Sequence, residues 1–239
     1  LDLLRIFGAS ETALAAIDRA PYSVVVEAVY APGWPPVHEV VARTAAAAVA
    51  HALHGQVIDA QVPRVVPLDR LDGSVPDDGQ IVLSDYVLVP QSSGARGTWL
   101  TTKGLGRFGL PELQALDVPS PLGPAWTAIL SGAAYELLDE FAGVVGRGEP
   151  PAIVELPEVL EVGLHAMAAA YGEQTEGDDV RAPLRLEFTP ASEPGHDEFL
   201  TVRPPRGYPE EGEDFHAWVV AELFDEAGGP SHPPGLHPA

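Results

Sequence analysis

An α+β fold is what this sequence predicts: a mostly antiparallel sheet with helices packed on one face, loosely ferredoxin-like, with room for a second, smaller α+β unit. Three observations predict it. Short β-branched and aromatic runs are punctuated by glycine and proline. Two longer segments, 37–54 and 124–145, carry apolar residues at helical spacing. Their order along the chain, β-α-β then β-β-α then β, lays helices on a sheet that is mostly antiparallel.

Residues 10–19 read as a short helix, because Ser10 can accept from the N–H groups that follow and Thr12 to Arg19 favour helix. Ser23–Tyr30 (SVVVEAVY) reads as a strand, ended by Pro32, Gly33, Pro35 and Pro36, which also launch the helix that follows. On the wheel of that helix, Val37, Val41, Thr44, Ala45, Ala48 and Ala52 share one face and Glu39, Arg43 and His54 lie opposite. It is expected to cover a sheet with its alanine face. Gly55 fits a C-cap, and Gln56–Val62 reads as a strand that completes a strand–helix–strand unit. Residues 63–79, rich in proline and aspartate, read as a surface loop. Ile81–Val89 and Gly97–Thr102 are expected as strands, joined through QSSGAR in a hairpin.

In the helix at 124–145, Trp126, Leu130, Ala134, Leu137, Leu138 and Phe141 form the apolar face, with Glu136 and Asp139 on the other. RGEPP at 147–151 is a break. Beyond it, Ala152–Leu156 reads as a strand, Val159–Tyr171 as partly helical, and an acidic loop runs to Asp179. Strands return at Leu184–Thr189 and Glu198–Arg203 around an ASEPGHD turn. Asp214–Glu226 is a final amphipathic element, helix or strand. The domain expectation is an α+β domain over 1–146, an acidic α+β extension or subdomain over 147–228, and a flexible tail over 229–239. The later strands could equally extend the first sheet.

Of the 239 residues, 46% are hydrophobic, ample for a core. Thirteen bases against 35 acids give a net charge of −22, which opposes a grip on phosphate backbones or anionic membranes. The charge is lopsided. Residues 1–135 carry 13 acids and 8 bases, whereas 136–239 carry 22 acids and 5 bases. There is no cysteine, so disulfides and thiolate chemistry are absent, and a cytoplasmic setting is expected. No apolar run reaches the roughly 20 residues that span a bilayer.

Residues 98–112, TWLTTKGLGRFGLPE, pack three glycines, the only lysine, a tryptophan and a phenylalanine into fifteen positions. The string at Thr102, Gly104, Leu105, Phe108, Gly109, Pro111, Glu112 and Leu113 resembles a bacterial family of unknown function with a T-x-G-L-x-x-F-G-x-P-E-L core between a strand and a helix. The resemblance implies no activity. In physical terms Gly104, Gly106 and Gly109 free the backbone, Phe108 anchors the loop, and Glu112 is expected near a helix start, where the macrodipole favours a carboxylate. The loop residues of interest are Gly104, Arg107, Phe108, Gly109 and Glu112, and Lys103 with Arg107 could attract an anion or an acidic segment of the same chain. GLGRFG matches the letters of a dinucleotide fingerprint but lacks its helix and its later acid.

Other groups carry weaker signals. His51, His54 and Asp59 could approach one metal ion, although the wheel makes His51 a partly buried, hydrogen-bonded residue and His54 an exposed one. Ser84, Ser92, Ser93 and Ser131 lie outside any nucleophile elbow. No EF-hand loop is present, and no cofactor is expected. The leading expectation is a non-enzymatic protein-interaction module with a basic protein partner, bound through Glu210, Glu211, Glu213 and Asp214 on an acidic face at about 193–226. The alternative is a small-molecule or metal-dependent hydrolase built on His196, His216 and nearby acids such as Asp197, Glu198 and Glu213. A third reading, a mimic of DNA, rests on the net charge alone.

Overall fold

A computed structural model describes residues 1–28, 37–72, 81–145, 153–191, 198–208 and 214–224. The chain divides into two compact units between Ile81 and Val82. Within the second unit one sheet takes strands from both sides of 146/147, so the later strands extend the sheet of the earlier ones.

In the first unit, α1 (Asp2–Ile6) and α2 (Glu11–Asp18) are short helices linked by Arg5, which bonds Asp2 at 3.0 Å and Glu11 at 3.1 Å. Ser10 caps α2 as expected, its hydroxyl accepting from the Ala13 N–H at 3.2 Å. The β-prone run does not form a strand over its described part, Ser23–Ala28, and Val25 is 84% exposed. Propensity yields a strand only where an edge is present to pair with it. The rest of that run, and the prolines after it, lie outside the described residues.

Helix α3 (Val37–Leu53) has the expected span but buries the opposite face. Glu39, Arg43, Ala47 and Ala50 are buried, while Val41, Thr44, Ala45, Ala48 and Ala52 are exposed. The reason is a hairpin. Strands β1 (Val57–Asp59) and β2 (Arg64–Val66) pair antiparallel and place Asp59 3.9 Å from Arg43. Val66 and Leu71, the latter in α4 (Leu68–Asp72), pack on Ala47. The stretch expected as a loop from residue 63 therefore opens with a strand and a helix, and 73–80 lie outside the described residues. At the end of α3 the left-handed residue is His54, φ 51°, and Gly55 supplies the N–H that closes on the Ala50 carbonyl at 3.0 Å.

The second unit is a sheet in the order β3-β4-β5-β8-β7-β6. β3 (Gln91–Ser93), β4 (Thr98–Thr101) and β5 (Glu112–Val118) form one antiparallel meander. β6 (Val159–Gly163), β7 (Arg181–Thr189) and β8 (Phe199–Arg203) form another. The two join through the parallel pair β5–β8, with Leu113 opposite Leu200 and Gln114 opposite Thr201. The fold class is thus α+β with a mostly antiparallel mixed sheet, as the sequence predicts. The hairpin through QSSGAR forms, but its first strand is Gln91–Ser93. Ile81–Val89 instead holds a 3₁₀ turn at Leu83–Asp85 and a single bridge from Leu88 to Lys103. A mostly apolar run reads alike for a strand and for any buried segment, and Leu83, Tyr86 and Val87 are indeed buried. Ile153–Leu156 is not a strand; the strand begins at Val159 and runs into α6 (Leu164–Ala170).

Helix α5 (Gly123–Val145) packs on β4, β5 and β6, covering Leu100, Leu113, Ala115, Leu160 and Val162, all essentially inaccessible. Helix α7 (Phe215–Phe224) settles the last ambiguity as a helix and packs on β7. Trp126 of α5 lies 4.7 Å from the His216 ring and 6.0 Å from Phe215, so α5 and α7 share a face of the sheet. Segments 146–152, 192–197, 209–213 and 225–239, which include the RGEPP break, most of the ASEPGHD turn and the tail, lie outside the described residues.

Candidate functional site

The glycine-rich loop folds onto a single carboxylate. Glu112 opens β5, not a helix, yet it serves a helix start from outside. Leu105–Phe108 is a 3₁₀ turn, and the Glu112 carboxylate accepts from the N–H of Gly104 at 2.8 Å, of Leu105 at 3.3 Å and of Gly106 at 3.4 Å. The Thr102 hydroxyl donates to it at 2.7 Å. This is an anion-binding turn filled by the chain's own anion. Gly104 (φ 121°) and Gly109 (φ 82°) hold conformations closed to other side chains, whereas Gly106 has neither a positive φ nor a neighbour in its way. Phe108 is buried edge-on to Tyr86 at 6.0 Å, and the Arg107 guanidinium is also buried, 5.7 Å from the Tyr86 ring centre. Gly104, Phe108, Gly109 and Glu112 thus shape the loop, and Arg107 does not present its charge to solvent.

The face of the sheet away from α5 and α7 carries a polar ladder. The Trp99 indole donates to Gln114 Oε1 at 3.0 Å, and Gln114 Nε2 donates to Thr201 Oγ1 at 2.8 Å. Thr201, 1% exposed, lies 2.7 Å from the Thr189 hydroxyl. Having accepted from Gln114, Thr201 can pass its own proton to Thr189, so the chain of donors runs one way from Trp99. Trp99, 39% exposed, packs edge-on to Phe199 at 6.2 Å. The ladder is not legible in the sequence. The available signal was Gln114, a polar residue amid the apolar run Leu113–Leu116.

His216 is held in the wall between α7 and the sheet. Its Nε2 lies 3.1 Å from the Leu116 carbonyl, which can only accept, so Nε2 carries the proton. Nδ1 is then a bare acceptor, buried without a hydrogen-bond partner among the described residues. Burial pushes the imidazole pKa down, against the pull of Asp214, the Leu116 carbonyl and Asp117, so the ring is kept neutral. Asp214 precedes α7 and caps it, accepting from the His216 N–H at 2.9 Å. Glu198 is described and exposed, whereas His196, Asp197, Glu210, Glu211 and Glu213 lie outside the described residues. His51 is exposed rather than partly buried, and Asp59 is engaged by the Gln61 and Val62 N–H groups at 3.1 and 3.2 Å. Among the described residues, no three His, Asp or Glu side chains gather as a metal site would require.

Two further features concern charge. Glu136 of α5 meets Arg181 at 3.3 Å, and Arg181 also bonds Asp179 at 2.6 Å. Burial raises the Glu136 pKa, with Arg181 opposing and Asp139, Asp179 and Glu140 adding to the rise. Residues 153–180 hold seven carboxylates and neither lysine nor arginine. Six of these are exposed: Glu155, Glu158 and Glu161 in or before β6, and Glu173, Glu176 and Asp178 in the segment between α6 and β7.

No described helix is long and apolar enough to cross a membrane. Comparison of the chain with protein-family models, with curated proteins and with solved structures finds no match in any of the three.

Proposed function

We propose that this chain is a non-enzymatic protein-interaction module that binds a basic protein partner through the acidic surface of its second half. The observation that carries the reading is the stretch 153–180, in which seven carboxylates occur without one basic residue and six of them face solvent. Charge of one sign spread over one region speeds encounter with its complement and disfavours partners of like charge. Glu210, Glu211, Glu213 and Asp214 extend the same sign along the chain. The state of the candidate catalytic groups weighs against the hydrolase reading. His216 is neutral and tied to a backbone carbonyl, and Asp214 is a helix cap.

Capture of a partner from the source lysate by the full chain, at low and at moderate salt, tests the proposal. Two neutralised variants accompany it: Glu210→Gln/Glu211→Gln/Glu213→Gln/Asp214→Asn, and Glu155→Gln/Glu173→Gln/Glu176→Gln. Asn at 214 keeps the helix cap. A basic protein retained by the wild type and released by salt and by at least one variant is the expected result. A partner that ignores both, or no partner at either salt, would overturn the reading.

A further inference from the structure

The two outer strands of the sheet, β3 and β6, differ in how they are protected. β3 has three residues and is tied to α5, Gln91 Nε2 donating to Thr127 at 2.9 Å. β6 has five residues, VLEVG, in unbroken register with β7 from Val159 opposite Arg185 to Gly163 opposite Arg181. It contains no lysine, no proline and no bulge, and its one charge is the exposed Glu161.

The register fixes which of its backbone groups have no partner in β7 or elsewhere among the described residues. The Leu186 N–H donates to the Glu158 carbonyl at 2.8 Å, and the Leu164 N–H to the Val180 carbonyl at 3.3 Å. Even-numbered residues of this stretch therefore point their N–H and C=O at β7, while Val159 and Glu161 point theirs outward. The Glu161 carbonyl receives one long contact, 3.5 Å, from Arg181. Side chains along this edge are apolar or acidic: Val159 is 44% exposed, Ile153 is 81% exposed, and Glu155, Glu158 and Glu161 flank them. Glu158 is engaged by Arg206 at 2.6 Å, which leaves Glu155 and Glu161 as the carboxylates to meet a basic side chain.

We infer that β6 is the acceptor edge for an extended segment of a partner, one that alternates lysine or arginine with apolar residues and adds to the sheet as a further strand. The outward groups of Val159 and Glu161 supply the main-chain bonds, and the carboxylates select for basic side chains. A second copy of this chain fits poorly, since it would bring the same acids face to face. The inference rests on the reading of a basic partner and adds the mode of contact.

The test titrates the full ¹⁵N-labelled chain with a decapeptide of alternating lysine and valine. A second peptide of the same charge carries N-methyl groups on alternate residues, so that one edge cannot donate. The Val159 and Glu161 amides should shift and gain protection from exchange, and N-methylation should weaken binding about tenfold or more. Glu161→Pro removes an outward N–H and no bond to β7, so it should fold and lose the peptide to the same degree, while Glu161→Gln controls for the charge. Equal binding of both peptides, shifts that map away from β6, or a folded Glu161→Pro that binds like wild type would each overturn strand addition. So would a wild-type dimer that Glu161→Pro abolishes, since the edge would then belong to a second copy. If Glu161→Pro does not fold, the N-methylated peptide decides alone. Repeating the lysate capture with Glu161→Pro separates the two claims. A charge-dependent partner indifferent to this change sinks strand addition only, whereas the absence of any such partner sinks the underlying reading.

Discussion

Glu112 gathers three backbone N–H groups and a hydroxyl on one buried carboxylate, and its removal would orphan the buried N–H groups of Gly104 and Leu105, whereas the Thr102 hydroxyl can turn to the Leu113 carbonyl and Gly106 is exposed. Each buried donor left unmet costs about 1–3 kcal/mol, so Glu112→Ala should lower stability by about 3 kcal/mol or more, and Glu112→Gln by less because an amide oxygen can still accept. Urea denaturation measures both. In the same loop Gly104→Ala should cost about 1–3 kcal/mol through its φ, while Gly106→Ala should change stability by no more than about 0.5 kcal/mol. His216 gives a pH signature. Its folded pKa lies below the ordinary 6.5, so its contribution is complete above that value and fades as pH falls toward the folded pKa. Thermal unfolding between about pH 7.5 and pH 5 should show wild-type stability declining, and His216→Gln should flatten that part of the slope.

At the scale of elements, α3 shows how a correct helix acquires the wrong face. Its span is legible from Val37–Leu53, and its alanines suggest the buried stripe. Asp59 on a hairpin that the sequence does not announce draws Arg43 inward, and Ala47 meets Val66 and Leu71. Val41→Glu should therefore be tolerated within about 0.5 kcal/mol, whereas Ala47→Leu, forced into the small core, should cost about 1–3 kcal/mol. A thermal-shift comparison of the two decides which face is buried. Helix α5 is legible because it carries a long, one-sided pattern, and β7 and β8 because short β-prone runs flank a turn, whereas the pattern of α7 fits a helix or a strand alike. The ladder of Trp99, Gln114, Thr201 and Thr189 is not, because its members come from four strands whose pairing depends on the parallel join of β5 and β8. Arg181 joins α5 to β7 through Glu136 and Asp179. Arg181→Leu would leave the half-buried Glu136 uncompensated and, allowing for the solvent reaching Arg181, should cost about 1–2 kcal/mol by denaturant melt, with Glu136→Gln recovering part of it.

For the whole molecule the decisive property is the distribution of charge. Of the net −22, residues 136–239 carry 22 acids against 5 bases, and Glu158 and Glu161 of that half lie at a strand whose outer backbone groups have no partner among the described residues. The acids were legible in the sequence. Their place beside an open edge was not, because Val159–Gly163 reads equally as the start of the helix that follows it. The most direct measurement is the affinity of the captured basic partner for the full chain as ionic strength rises from about 50 to about 200 mM, with wild type beside the Glu155→Gln/Glu173→Gln/Glu176→Gln variant. The account predicts an affinity that falls by about tenfold or more for wild type and a visibly shallower fall for the variant. An affinity indifferent to salt, or the same salt dependence in both proteins, would contradict it.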